Sequence, residues 1–265
     1  MLKRIPMLLA SIAIIFVAAA PAGITAASAK DDLQTIRERG LVRIAASNSP
    51  PNIVKDIAED SWSGPYADFY EAVFGAIDVE VEFVDTPWGA VVPSLQSGGI
   101  DAAILSVLPA RAAAVDNSAP IIFSPLTMLL ADEQAGPVRW ESLNREDFRV
   151  AVMAGTIHEA ITRNMLPDAT LVVAEDLNNT ILLLETGRAD AVIGHQTPLA
   201  HYSESRGRGS VHMPEPQVGM VNTFVFRKNN PDLKRFLDNS ILFMKMSGSL
   251  RRIFEQPGLN QVVVD

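Results

Sequence analysis

The stretches LQSGGIDAAIL (95–105) and LETGRADAVIG (184–194) align without a gap, and this internal echo constrains the fold more than any other feature of the chain. Leu95 matches Leu184, Gly98 matches Gly187, Asp101 matches Asp190 and Ile104 matches Ile193. Each copy reads as a helix end, a glycine able to take the left-handed cap, and a buried strand. The flanks repeat the same order. LVRIAAS (41–47) and VEVEFV (79–84) read as strands around YADFYEAVFGAI, where Phe69, Val73 and Ile77 share one helical face. FRVAVMAG (148–155) and ATLVVA (169–174) read as strands around IHEAITRNML, and Leu177, Ile181 and Leu184 share a face of the helix that follows. A βαβαβ order implies a parallel sheet with helices on its faces. The expected fold is therefore α/β, two similar lobes with a ligand cleft between them.

The tail NPDLKRFLDNSILFMKMSGSLRRIFEQPG reads as two further helices beginning near Pro231 and Ser249, with Leu233, Phe236, Leu237, Ile241 and Met244 as a core-packing stripe. Between the repeats, IIFSPLTMLLA carries the chain across and GMVNTFVFR brings it back, with crossings expected at 124–128 and 220–223. Lobe 1 then comprises 30–124 plus 223–265, and lobe 2 comprises 125–222.

Residues 1–29 are set apart from this fold. Lys3 and Arg4 precede a largely apolar run of 14 residues (7–20), and Ala27-Ser28-Ala29 supplies a small-residue cleavage site. A bilayer-spanning helix needs about 20 apolar residues, so a cleaved signal peptide is expected rather than an anchor. The mature chain of 236 residues would start at Lys30, and its net charge would move from −9 to −11. That acidity argues against nucleic acid and against anionic membrane surfaces as partners. The absence of cysteine removes disulfides, thiolate metal sites and a lipidated N-terminal cysteine. A freely diffusing periplasmic monomer is expected.

Open α/β sheets bind ligands beyond the carboxyl ends of their strands. Those ends carry Ser47, Ser106 with Arg111, Gly155-Thr156, and His195. Thr156-x-x-Glu159 is a capping-box pattern, so the helix starting there should offer backbone N–H groups and the positive end of its dipole. An arginine from one lobe and a helix N-terminus from the other would make a carboxylate clamp. Each residue also has a plainer reading: a solvated arginine, a helix cap, a hydrogen-bonded structural histidine, and, for Trp88, core filling. The four histidines (His158, His195, His201, His212) lack metal-ligand spacing, so neither metal nor cofactor is expected.

In sequence the chain resembles the amino-acid-type periplasmic solute-binding proteins of ABC importers (family 3), the type II two-lobed "Venus flytrap" class. The stretches that carry the resemblance are LQTIRERGLVRIAAS, VEFVDTPWGAVVPSLQSGGIDAAI, RAAAVDNSAPI, VAVMAGTIHEA, GRADAVI and NPDLKRFLDNSI…SGSLRRIF. They fall in family order along nearly all of the mature chain. The resemblance implies capture of a small solute by lobe closure and delivery to an inner-membrane ABC permease. It also implies that Arg111, seven residues before Ser118, grips a ligand carboxylate, that Trp88 stacks on the ligand, and that Thr156 contributes a hydroxyl.

Departures from the family pattern are equally specific. The loop between strand and Arg111 is shortened to SVLPA, Ile157 stands where a second Ser or Thr is common, His195 where an Asp is usual, and Ser47 where an acid is frequent. The cleft keeps a cation for a carboxylate and loses its anions for an amine. Small mono- or dicarboxylates, or amino acids with a masked amine, are therefore expected to bind better than free amino acids. His195, with an ordinary pKa near ~6.5, would donate more strongly on modest acidification. Two other classes stay open: an enzyme on the same scaffold, similar to cyclohexadienyl dehydratases and using His195 or His158 with Glu159, and a soluble sensor or adaptor.

Overall fold

The structure, a computed structural model, describes residues 31–132, 136–257, 259 and 261–264. The expected signal peptide and its cleavage point after Ala29 lie outside the described residues.

Helix α1 (Asp32–Arg39) leads to strand β1 (Leu41–Ala46), a small hairpin of β2 (Val54–Asp56) and β3 (Ser61–Ser63), helix α2 (Pro65–Gly75) and strand β4 (Glu80–Asp85). A 3-10 turn at Trp88–Ala90 precedes α3 (Val91–Ser97), β5 (Ala102–Ser106), α4 (Pro109–Ala112), β6 (Asp116–Asn117) and the long β7 (Ile122–Leu130). The second half runs α5 (Trp140–Leu143), β8 (Arg149–Met153), α6 (Ile157–Met165), β9 (Thr170–Ala174), α7 (Leu177–Glu185), β10 (Ala191–His195), α8 (Gln196–Arg206) and β11 (Ser210–His212). Strand β12 (Gly219–Phe226), α9 (Pro231–Met246), α10 (Ser249–Phe254) and β13 (Val262–Val263) complete it.

The main path of the curled sheet has the order β4-β1-β5-β12-β7-β10-β8-β9. Its outer triplets are parallel, and each places its second strand outside, its first in the middle and its third inside. The fold is thus the expected α/β arrangement. Strands β7 and β12 join the triplets. β7 pairs antiparallel with β12 from Ile122 to Pro125, then with β10 from Leu126 to Leu130. β12 continues along β5 from Asn222 to Phe226. Pro125, which has no N–H to give a ladder, stands where β7 changes partners.

The echoed residues do the same work twice. Gly98 and Gly187 adopt φ of 75° and 68°, the left-handed conformation open to glycine at little cost. Asp101 accepts from the Arg43 backbone N–H at 2.7 Å and from its Nη2 at 2.9 Å. Asp190 does likewise with Arg149, at 2.8 Å and 2.5 Å. In both carboxyls burial pushes the pKa up, but hydrogen bonds and charge from the arginines outweigh it and hold the group below its ordinary value.

Helix α9 returns to the first half and buries Leu233, Leu237, Ile241 and Met244, with Phe236 partly buried beside them. They join an aromatic cluster in which Phe69 stacks on Phe224 with centroids 5.4 Å apart. Phe69 and Val73 form the buried face of α2 as expected, whereas Ile77 falls after the helix end and packs at the margin of this core. The second half has its own core around Trp140, Phe148, Val150 and Ile193.

Candidate functional site

A cavity of about 50 Å³ lies at the carboxyl ends of β5, β8 and β10 and against the loop after β1. A buried water needs about 10–15 Å³ on this measure, so the space suits a few waters or one small solute. Its walls come from both halves, and among the described residues that line it none is an aspartate or glutamate.

Arg111 sits in α4, a single turn that Pro109 opens immediately after the short loop from β5. The brevity of that loop folds the guanidinium back over its own strand. Nη1 donates to the Ser106 carbonyl at 2.6 Å, and Nη2 donates to the Gly155 carbonyl of the opposite half at 2.9 Å. Both acceptors are neutral, and no ion pair to Arg111 occurs among the described residues. Desolvation pushes the pKa of Arg111 down from its ordinary value, which signals a cation short of counter-charge.

Ser106 also donates from Oγ to Asn222 Oδ1 at 2.7 Å, and Asn222 Nδ2 donates to Ser124 Oγ at 3.1 Å. This buried chain links β5 to both crossing strands beneath the cavity. Trp88 borders the cavity at the seam and packs against apolar clusters of both halves. Across from it, Gly155 has a φ of 67°, and a Cβ placed there would lie 2.7 Å from Gly89 Cα. Only a glycine permits that approach.

The expected capping box is present with one shift. Thr156 Oγ1 accepts from Glu159 N at 3.4 Å, while Glu159 Oε2 accepts from Gly155 N at 3.0 Å rather than from the N-cap residue itself. One loop donor is therefore already taken, and Glu159 is further held by Arg163 at 2.9 Å. The first N–H groups of α6 still lack intrahelical acceptors, as at any helix start. Ile157 opens that helix and presents an apolar wall to the cavity.

His158 and His195 stand edge to face, ring centroids 4.5 Å apart at 89°, and both border the cavity. His158 is 1% exposed. Its Nδ1 and Nε2, and His195 Nδ1, are buried without a hydrogen-bond partner. His195 occupies the N-cap of α8 but makes no capping bond. Burial, with the charges of His195 and Arg111 adding to it, holds His158 well below its ordinary pKa, and burial alone takes His195 down to about 4. The expected response of His195 to modest acidification is thereby corrected: the ring stays neutral through the range where an exposed imidazole would charge.

Of the sequence-based candidates, Arg111, Trp88, Ser106, Thr156, Ile157 and His195 border the cavity, and Ser47 does not. Ser47 instead faces a neighbouring depression with Asp85, Glu175 and Asp176. The reason is local. After β1 the chain doubles back through the Ser49↔Ile53 bridge, which delivers Ser49 and Asn52 to the cavity in its place. Nearby acids are engaged: Asp85 pairs with Lys55 at 2.9 Å, and Asp176 caps α7 through Asn179 N at 2.8 Å. Tyr66, His158 and Asn222 were not among the binding candidates. Asn222 alone carried a visible signal, an amide inside the apolar run GMVNTFVF.

A cleft between two parallel α/β units bridged by two strands is the architecture of a two-lobed binding protein. The family model for bacterial extracellular solute-binding proteins, family 3, matches residues 42–257, and the chain belongs to that family. It is 21% identical over 239 residues to the L-cystine-binding protein TcyJ of Escherichia coli K12, covering 89% of this chain and 90% of that one. It is 25% identical over 190 residues to a probable histidine-binding protein of Campylobacter jejuni, covering 71% and 72%. Among solved structures, the ancestral amino acid-binding protein AncCDT-1, a precursor of cyclohexadienyl dehydratase, superposes with a TM-score of 0.76 at 28% identity, over 85% of this chain and 98% of that one.

Proposed function

We propose that the protein captures a small carboxylate-bearing solute in the cleft and delivers it to an inner-membrane ABC permease. It would act as a periplasmic monomer after cleavage behind Ala29, with 30–124 plus 223–265 and 125–222 as its lobes. One observation carries this reading: Arg111 is a desolvated cation that reaches carbonyls of both halves and meets no carboxylate among the described residues. A ligand carboxylate supplies the missing charge and can take two parallel N–H bonds from a guanidinium. Trp88, Ser106, Thr156, Ile157 and His195 complete the walls around it.

The test is calorimetric titration of the mature protein against plain carboxylic acids and amino acids. Truncating one partner of a buried charge pair costs about 2–5 kcal/mol of binding. Arg111→Ala should therefore weaken the best ligand by tens of fold or more, with Arg111→Lys rescuing part of the loss. Unchanged affinity in Arg111→Ala refutes the reading.

The unpartnered imidazoles favour one second reading, a lyase on this scaffold. Glu159 is tied to Gly155 N and Arg163, which leaves His158 or His195 as its acid or base. Turnover of a bound ligand followed by proton NMR would select it over simple binding.

A further inference from the structure

We propose that the His158–His195 pair recognises an uncharged hydrogen-bonding group, a hydroxyl or a carbonyl, on a solute whose single charge is its carboxylate; this rests on the carboxylate reading of Arg111 and adds what the rest of the solute carries. The rings meet edge to face, so they do not hydrogen-bond one another. Three of their nitrogens are buried without partners beside the cavity. Buried polar atoms left unpaired are costly, and native structures pair nearly all of them. A ligand group is the partner that the cavity is placed to admit.

The charge around the pair selects the kind of group. No carboxylate among the described residues borders the cavity, so a ligand ammonium would be buried without a counter-charge, at high cost. A second ligand carboxylate would be buried beside neutral imidazoles, because burial, with the Arg111 charge adding to it at His158, opposes the imidazolium that would balance it. The other titratable groups nearby do not change the balance. Tyr66 borders the same cavity, and burial raises its pKa further above neutrality. Glu159 is turned to Gly155 N and Arg163, and β7, which lies against His195, carries no titratable side chain. Each neutral imidazole has one N–H and one acceptor nitrogen. The pair can therefore donate to a carbonyl, or donate to and accept from a hydroxyl. The same neutrality makes binding of such a solute insensitive to pH between about 5.5 and 8, because neither partner changes charge there.

The experiment is a titration panel of three- to six-carbon acids bearing, at each position, hydrogen, hydroxyl, oxo, ammonium or a second carboxylate, run near pH 5.5 and pH 8. A hydroxy or oxo monoacid should bind about ten- to a hundredfold more tightly than its plain, amino and diacid counterparts, the range set by leaving buried polar groups unpaired. Its affinity should be the same at both pH values. In the His158→Phe and His195→Phe variants that preference should disappear, the hydroxy or oxo acid falling to the affinity that the plain acid has for the same variant. The proposal is overturned if an amino acid or a diacid binds tightest, if affinity climbs on acidification, or if the variants keep the preference. Plain acids binding as well as hydroxy or oxo acids also sinks it but leaves the Arg111 reading standing. Failure of every acid to bind removes both.

Discussion

Asp101 and Arg43 in the first half hold the positions of Asp190 and Arg149 in the second, yet the two clamps are not equally deep. Asp101 also takes Arg39 and its side chain is 4% exposed, whereas Asp190 has Arg149 and is 36% exposed. The contrast sharpens at the other end of the strands. Beyond β5 a shortened loop supplies a charged side chain, Arg111. Beyond β8 and β10 the chain supplies a backbone carbonyl, a helix start and two neutral imidazoles. Features that hold the unit together are repeated, and features that face the cleft are not. A duplicated scaffold can therefore build an asymmetric site without disturbing the frame that carries it.

The largest expected effect tests the depth of the clamps. Removing one partner of a buried ion pair costs about 3–5 kcal/mol, so Asp101→Asn should lower stability by that order in urea unfolding. Asp190→Asn should lose less than half as much, because exposed pairs are screened. Equal losses would show that exposure does not separate the two clamps.

A second test uses acid. The two imidazoles of the site both lie in the second half, and His195 has a folded pKa of about 4 against an ordinary 6.5. Between those values the unfolded chain takes up a proton that the folded chain does not, so stability falls as pH falls through that window. The slope is about 1.4 kcal/mol per pH unit for each imidazole so held. The depressed Asp101 carboxyl acts in a different window: its stabilisation is present above the ordinary carboxylate pKa and is lost as pH falls below it. Hydrogen exchange near pH 5 should therefore show the second half loosening first. Uniform loosening would break the comparison.

The smallest effect concerns one contact seen from both sides. A Cβ at Gly155 would collide with Gly89 Cα at 2.7 Å, while a Cβ at Gly89 would meet only the Ala154 carbonyl at an ordinary 3.8 Å. Overpacking of this kind costs about 1–3 kcal/mol, so Gly155→Ala should weaken ligand binding roughly tenfold or more. Gly89→Ala should bind normally, and equal effects would mean that this seam does not form in the bound protein.

Much of the fold was legible because its signals are local and repeated. Gly98 and Gly187, the paired Asp101 and Asp190, and the alternating apolar runs each report backbone conformation or burial within a short window. The position of Arg111 at the cavity was legible because it is a charge placed just past a strand end. Ser47 misled because strand ends were read as cleft positions, and the bridge between Ser49 and Ile53 turns the chain back before it reaches the cavity. The pairing of His158 with His195 was hidden for a different reason. The two residues lie on separate elements, and only the parallel packing of β8 beside β10 brings their rings together.

Asn222 belongs to a strand that crosses between the halves, and it also borders the cavity. Any rotation of one half over the other would be taken up in β7 and β12, so the fulcrum of such a motion would run directly beneath the cavity. Such gearing gives a short stroke at the floor and a long throw at the lip. A small shift at Asn222 would swing the outer surfaces much further than it moves the cavity floor.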